Sequence, residues 1–80
     1  MDLRPVFAAN LRRLRYAKGL SQVDLARRAE VNRTYLSKLE SGGIYPGLEV
    51  IGKLAIALGV GPGEFLRLPT KRNGMPTTRT

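Results

Sequence analysis

Three residues, Glu30-Val31-Asn32, separate two short stretches of helical periodicity, and this connection constrains the fold more than any other feature of the chain. Before it, Leu25, Ala26 and Ala29 share one face at helical spacing, and after it Leu36 and Leu39 do the same. Two short helices with so small a connection cross at a steep angle, the geometry of a helix-turn-helix. Start signals fix the register. Ser21 is a good N-cap with Asp24 three residues on, an approximate capping box, which places a helix over about Gln22–Ala29. Asn32 is an N-cap residue for the next helix, Asn32–Ser41, which Gly42-Gly43 stops.

The rest of the chain supplies the supporting helices. Leu3, Phe7, Leu11 and Leu14 form one stripe, giving a first helix that tolerates Pro5 in its opening turn and ends at Gly19. Beyond the linker Ile44-Tyr45-Pro46, a fourth helix over Leu48–Leu58 is expected to bury Leu48, Ile51, Leu54, Ala55 and Leu58, with Gly59 capping it. Gly61-Pro62-Gly63-Glu64 starts a short fifth helix through Phe65 and Leu66, ended by Pro69. No strand-like alternation or internal repeat is found. The expected architecture is all-α: five compact helices over residues 1–68, then a flexible basic tail over 69–80.

Charge narrows the function. Fourteen Lys and Arg against six Asp and Glu give +8, a balance that points to a polyanion, nucleic acid or an anionic membrane surface. The longest apolar stretch, Leu54–Val60, is far too short to span a bilayer, and no secretory leader is read, so a cytoplasmic, nucleoid-associated protein is expected. The chain has no His and no Cys, and its carboxylates form no metal-ligand cluster. Ser21, Ser37 and Ser41 have no histidine to activate them. No enzyme, metal, cofactor or small-molecule ligand is expected. A chain this short buries only about 60–65% of its unfolded surface, so it needs a well-patterned core or a partner subunit.

The outward side of the helix Asn32–Ser41 has the chemistry for that polyanion. Arg33, Thr34, Ser37, Lys38 and Ser41 fall in one arc of about 140°, opposite Leu36 and Leu39. A major groove about 12 Å wide admits a helix and displays guanine acceptors to Arg or Lys, while hydroxyls bond several base edges. Any surface helix has a polar side. Here that side follows a helix-turn-helix spacing in a strongly basic chain, which favours double-stranded DNA as the partner.

The run Gly19-Leu20-Ser21-Gln22-Val23-Asp24-Leu25-Ala26-Arg27-Arg28-Ala29, then Val31-Asn32-Arg33-Thr34-Tyr35-Leu36-Ser37-Lys38-Leu39-Glu40-Ser41-Gly42, resembles the phage repressor (Cro/C1-type, XRE) helix-turn-helix family. Pro46 and Leu54–Val60 match its fourth helix, and Arg33-Thr34-Tyr35 is similar to the restriction–modification controller subgroup. The resemblance implies a lambda-repressor-like fold over about residues 6–68 and a transcription regulator, most simply a repressor. It implies that Arg33, Thr34, Ser37 and Lys38 read bases and that Ser21, Gln22 and Ser41 touch phosphate, Ser21 and Gln22 also buttressing the reading helix. A helix N-terminus is independently a good phosphate site. Tyr35, on the boundary of the arc, either packs inward or touches the sugar-phosphate backbone. Arg15 and Glu40 match a structural pair tying the first helix to the third.

Two positions depart from the family pattern. Glu30 stands where glycine is frequent, costing about 1 kcal/mol if the site needs left-handed backbone. The linker Gly43-Ile44-Tyr45 lacks basic residues, leaving Tyr45, or Arg12 and Arg13, to grip phosphate there. Ile56, Phe65, Leu66 and Leu68 either close the core or form a two-fold interface; a homodimer would set two reading helices about 34 Å apart on a palindromic operator. Competing readings keep the fold as an antitoxin-type protein-interaction component, or lay the basic amphipathic helix Leu3–Lys18 on a membrane surface.

Overall fold

A computed structural model describes residues 1–69, so the expected tail, apart from Pro69, lies outside the described residues. Four α-helices follow in order: α1 Arg4–Ala17, α2 Gln22–Ala29, α3 Arg33–Glu40 and α4 Leu48–Leu58. A 3-10 turn over Pro62–Leu66 closes the sequence of elements. It replaces the expected fifth helix because extended backbone at Gly61 and Arg67 leaves room for only five residues between.

The ends obey the local chemistry. Ser21 Oγ accepts the Asp24 N–H at 3.0 Å while the Asp24 carboxylate accepts the Ser21 N–H at 3.4 Å, completing the capping box. Hydrogen bonds to Ser21, its side chain first, hold the Asp24 carboxyl below its ordinary range. Asn32 Oδ1 accepts the Tyr35 N–H at 3.2 Å. Left-handed backbone at Gly42 and Gly59 stops α3 and α4. Glu30, the C-cap of α2, has φ 58 and ψ 45, the left-handed conformation that glycine adopts without strain.

One apolar core joins every element. Leu11 of α1, Leu25 of α2, Leu36 and Leu39 of α3, and Leu54 and Leu58 of α4 are wholly buried. Here α1 packs on α3 and the 3-10 turn, while α2 packs on α3 and α4. Phe65 is also wholly buried, its ring centroid 5.0 Å from that of Phe7. Asn10 secures this corner from within α1: its Nδ2 donates to the Phe65 carbonyl at 2.9 Å and the Arg67 carbonyl at 2.8 Å.

Two expectations are corrected. Phe65 closes the core over α1 and cannot belong to an exposed interface, unlike Ile56, Leu66 and Leu68, which are exposed. Leu48, expected inside, is 87% exposed. At about 100° per residue it lies about 80° from Leu58 around α4, and it sits in the first turn, beyond the buried stretch of that helix.

Candidate nucleic-acid interface

The arc on α3 is open. Arg33, Thr34, Ser37, Lys38 and Ser41 are all exposed, whereas Leu36 and Leu39 on the other side are wholly buried. Among the described residues, the side chains of Arg33, Thr34, Ser37 and Lys38 make no hydrogen bond or salt bridge within the protein. Their donors are therefore available to an outside acceptor. The Ser41 hydroxyl instead donates back to the Lys38 carbonyl at 2.9 Å, ending the helix.

What holds α3 in place is polar as well as apolar. Arg15 Nε donates to Glu40 Oε2 at 2.6 Å and Arg15 Nη2 to Glu40 Oε1 at 2.8 Å, a two-bond clamp between α1 and α3. Both side chains are nearly buried, 9% and 4% exposed. The third nitrogen, Nη1, donates to the Leu20 carbonyl at 2.9 Å, so the loop after α1 joins the clamp. Hydrogen bonds to Glu40 raise the Arg15 guanidinium above its already high ordinary value. From α2, Gln22 Nε2 donates to Glu40 Oε1 at 3.0 Å, the buttress expected of it. Arg12 Nη1 donates to the Glu40 carbonyl, satisfying one of the free carbonyls at the end of α3.

The remaining candidates divide. Tyr35 takes the inward option for its ring, which packs against the core; its hydroxyl accepts the Gly47 N–H at 3.3 Å and ties α3 to the start of α4. Arg13 lies on another flank of α1, with Nη2 donating to Asn10 Oδ1 at 3.1 Å and standing 3.8 Å from Glu64. That places it with the 3-10 turn rather than with α3. Tyr45 is exposed, and its hydroxyl donates to Asp2 Oδ1 at 3.1 Å.

Asp2 and Arg4 were not singled out by periodicity. Asp2 Oδ1 accepts both the Arg4 N–H and Arg4 Nε at 3.0 Å, while Oδ2 accepts Nη2 at 2.8 Å. The Arg4 guanidinium lies 5.3 Å from the centroid of the Tyr45 ring. An acid just ahead of a helix start was the available signal, but its meeting with a residue of the α3–α4 linker is a tertiary fact.

A buried clamp, a tight left-handed turn and an exposed cation-and-hydroxyl arc define a DNA-binding protein of the helix-turn-helix class. Residues 11–65 match the helix-turn-helix family, and the chain belongs to that family, in its Cro/C1 (XRE) branch. It is a DNA-binding transcription regulator. The chain is 44% identical over 71 residues to a hypothetical transcription factor of Neisseria meningitidis, covering 89% of this chain and 67% of that one. The crystal structure of the Neisseria protein superposes with a TM-score of 0.80 over 85% of this chain and 78% of its own. The control protein C.BamHI of Bacillus amyloliquefaciens is 36% identical over 73 residues, 90% of each chain. The restriction–modification controller protein C.AhdI of Aeromonas hydrophila gives a TM-score of 0.75 at 42% identity, over 78% of this chain and 94% of its own. These last two support the controller subgroup.

Proposed function

We propose that the protein represses transcription as a homodimer bound to a palindromic operator, each protomer laying α3 into the major groove. Arg33, Thr34, Ser37 and Lys38 read base edges, since they combine exposure with unoccupied donors on a helix that cannot tilt without breaking the Arg15–Glu40 clamp. Ser21 and Gln22 lie at the start of α2, where they and the free N–H groups of that terminus suit phosphate, while Ser41, at the end of α3, reaches phosphate by giving up its bond to the Lys38 carbonyl. Arg12 keeps guanidinium donors beyond the one given to Glu40 and adds to that grip. The exposed apolar side chains of Ile56, Leu66 and Leu68, with Leu48, supply the two-fold interface. The likeness to the controller proteins supports regulation of restriction–modification genes.

The single observation that carries the reading is the open arc of α3. Selection of bound sites from random duplex DNA, followed by gel-shift competition, tests it. An inverted repeat with half-sites about one helical turn apart is expected. Arg33→Ala and Lys38→Ala should each cost about 1–3 kcal/mol at the selected site and relax base preference. If both variants keep full discrimination against matched competitor DNA, α3 is not the reading element.

A further inference from the structure

The corner formed by Asp2, Arg4 and Tyr45 has no duty in the core, yet it is an exposed cluster held by four hydrogen bonds. Three hydrogen bonds join Asp2 to Arg4, and a fourth joins it to the Tyr45 hydroxyl. Arg4 is laid over the Tyr45 ring, a stacking that a planar guanidinium favours and that fixes its direction. Both partners of the ion pair remain 40% and 47% exposed.

The position of this corner matters more than its order. A Cβ built on Gly42 would stand 3.9 Å from the Arg4 carbonyl oxygen and 3.9 Å from Pro5 Cα, so the first turn of α1 lies beside the residue that ends α3. Ser41, one residue earlier, closes the arc already described, and Tyr45 lies three residues after Gly42 on the same linker. The linker Gly43-Ile44-Tyr45-Pro46-Gly47 contains no Lys or Arg. Arg4 therefore brings a cation, from a distant part of the sequence, to a linker that has none of its own.

We propose that Arg4, held over Tyr45, is a phosphate contact flanking the reading helix, and that the Asp2 carboxylate occupies the place a DNA phosphate takes when the duplex binds. This rests on the proposal that α3 enters the major groove. A carboxylate accepting Nε and Nη2 side by side uses the same guanidinium edge that grips a phosphate in two-bond fashion. In free protein Asp2 keeps that edge aligned; on DNA it is displaced and swings into solvent. The exchange costs one exposed ion pair and gains one phosphate contact, so Asp2 restrains DNA binding as well as orienting Arg4.

The test is a salt titration of binding to the selected operator and to unrelated duplex, using the full chain. Arg4→Gln should weaken binding on both DNAs and lower the slope of log affinity against log salt by about 0.9 per protomer. For a dimer, its deficit relative to the unsubstituted chain should shrink about twelvefold between 50 and 200 mM salt. Asp2→Asn should act in the opposite direction, tightening both complexes about twofold to fivefold per protomer. Glu64→Gln, which adds the same charge beside the 3-10 turn, should tighten them less. A gain from Asp2→Asn cannot arise from misfolding, which keeps the proposal testable even if Arg4→Gln is destabilised. An unchanged salt slope in Arg4→Gln overturns it, as does equal tightening by Asp2→Asn and Glu64→Gln. Loss of discrimination in Arg33→Ala, measured alongside, shows in either case that the reading helix itself is correctly assigned.

Discussion

Replacing Glu40 by glutamine tests the physical basis of the scaffold more sharply than any change on its surface. The substitution keeps shape but removes the charge that faces Arg15, whose side chain is only 9% exposed. The new amide can accept one of the two N–H bonds now made at 2.6 and 2.8 Å, and it turns an N–H donor toward the other. A buried charge left without its partner costs about 3–5 kcal/mol. An 80-residue domain holds about 4–12 kcal/mol in total, so the variant loses a large share of its stability. At about 4–8 °C per kcal/mol for a domain of this size, Tm should fall by about 12 °C or more in thermal unfolding followed by circular dichroism. The double variant Arg15→Met with Glu40→Leu should recover most of that loss, because an apolar pair of similar volume removes both desolvation penalties. Recovery should stop about 1–2 kcal/mol short, since the Leu20 carbonyl loses the N–H at 2.9 Å from Arg15 and Gln22 Nε2 loses its acceptor at 3.0 Å. A fall below about 4 °C in Glu40→Gln would show that water screens the pair as it screens a surface ion pair, and the argument for a rigidly clamped α3 would fail with it.

Glu30→Gly should stabilise the fold by about 0.5–1 kcal/mol, relief of left-handed strain exceeding the added chain entropy, and urea unfolding midpoints would show a loss instead if the turn were unstrained. Phe65→Ala should cost about 3–5 kcal/mol in the same assay because it opens a cavity against Phe7, and a loss under 1 kcal/mol would contradict its place in the core. If Ile56 lies in the proposed two-fold interface, Ile56→Glu should leave Tm at low protein concentration unchanged while shifting sedimentation toward the monomer, and an unchanged sedimentation profile removes Ile56 from that proposal. The Asp24 carboxyl titrates below its ordinary 3.8 in the folded chain, so its contribution to capping α2 is present above that pH and lost as the pH falls through the folded value. The Tm advantage of the unsubstituted chain over Asp24→Asn should accordingly shrink toward zero on acidification, and a constant difference from pH 6 to pH 3 refutes the capping role.

Sequence and structure agree at the starts of α2 and α3, where the signal is local, although the equally local start at Gly61-Pro62-Gly63-Glu64 yields only a 3-10 turn. Ser21 with Asp24, and Asn32 ahead of Tyr35, place the starts of α2 and α3 because a cap needs only neighbours within one turn. The Arg15–Glu40 pair was legible through family resemblance, its partners being 25 residues apart. Leu48 misled because periodicity reports which side of a helix is apolar, not how far the neighbouring helices extend beneath it. Phe65 was ambiguous for a related reason: a large apolar residue near a chain end fits a core or an interface equally well until Phe7 is seen beside it. The Asp2, Arg4 and Tyr45 cluster was out of reach, since 43 residues separate Asp2 from Tyr45 and neither belongs to a helical stripe.

The side chains of Arg33, Thr34, Ser37 and Lys38 form no bond with the rest of the protein among the described residues, while Leu36, Leu39 and Glu40 on the same helix carry its attachments. On the proposed reading, address and architecture thus alternate two by two along one eight-residue word. A lineage that respelled the first set would, on that reading, acquire a new operator while the second kept the molecule folded. Drift in target sequence would then be cheap for such a protein, and relatives with the same backbone would need to share no binding site at all.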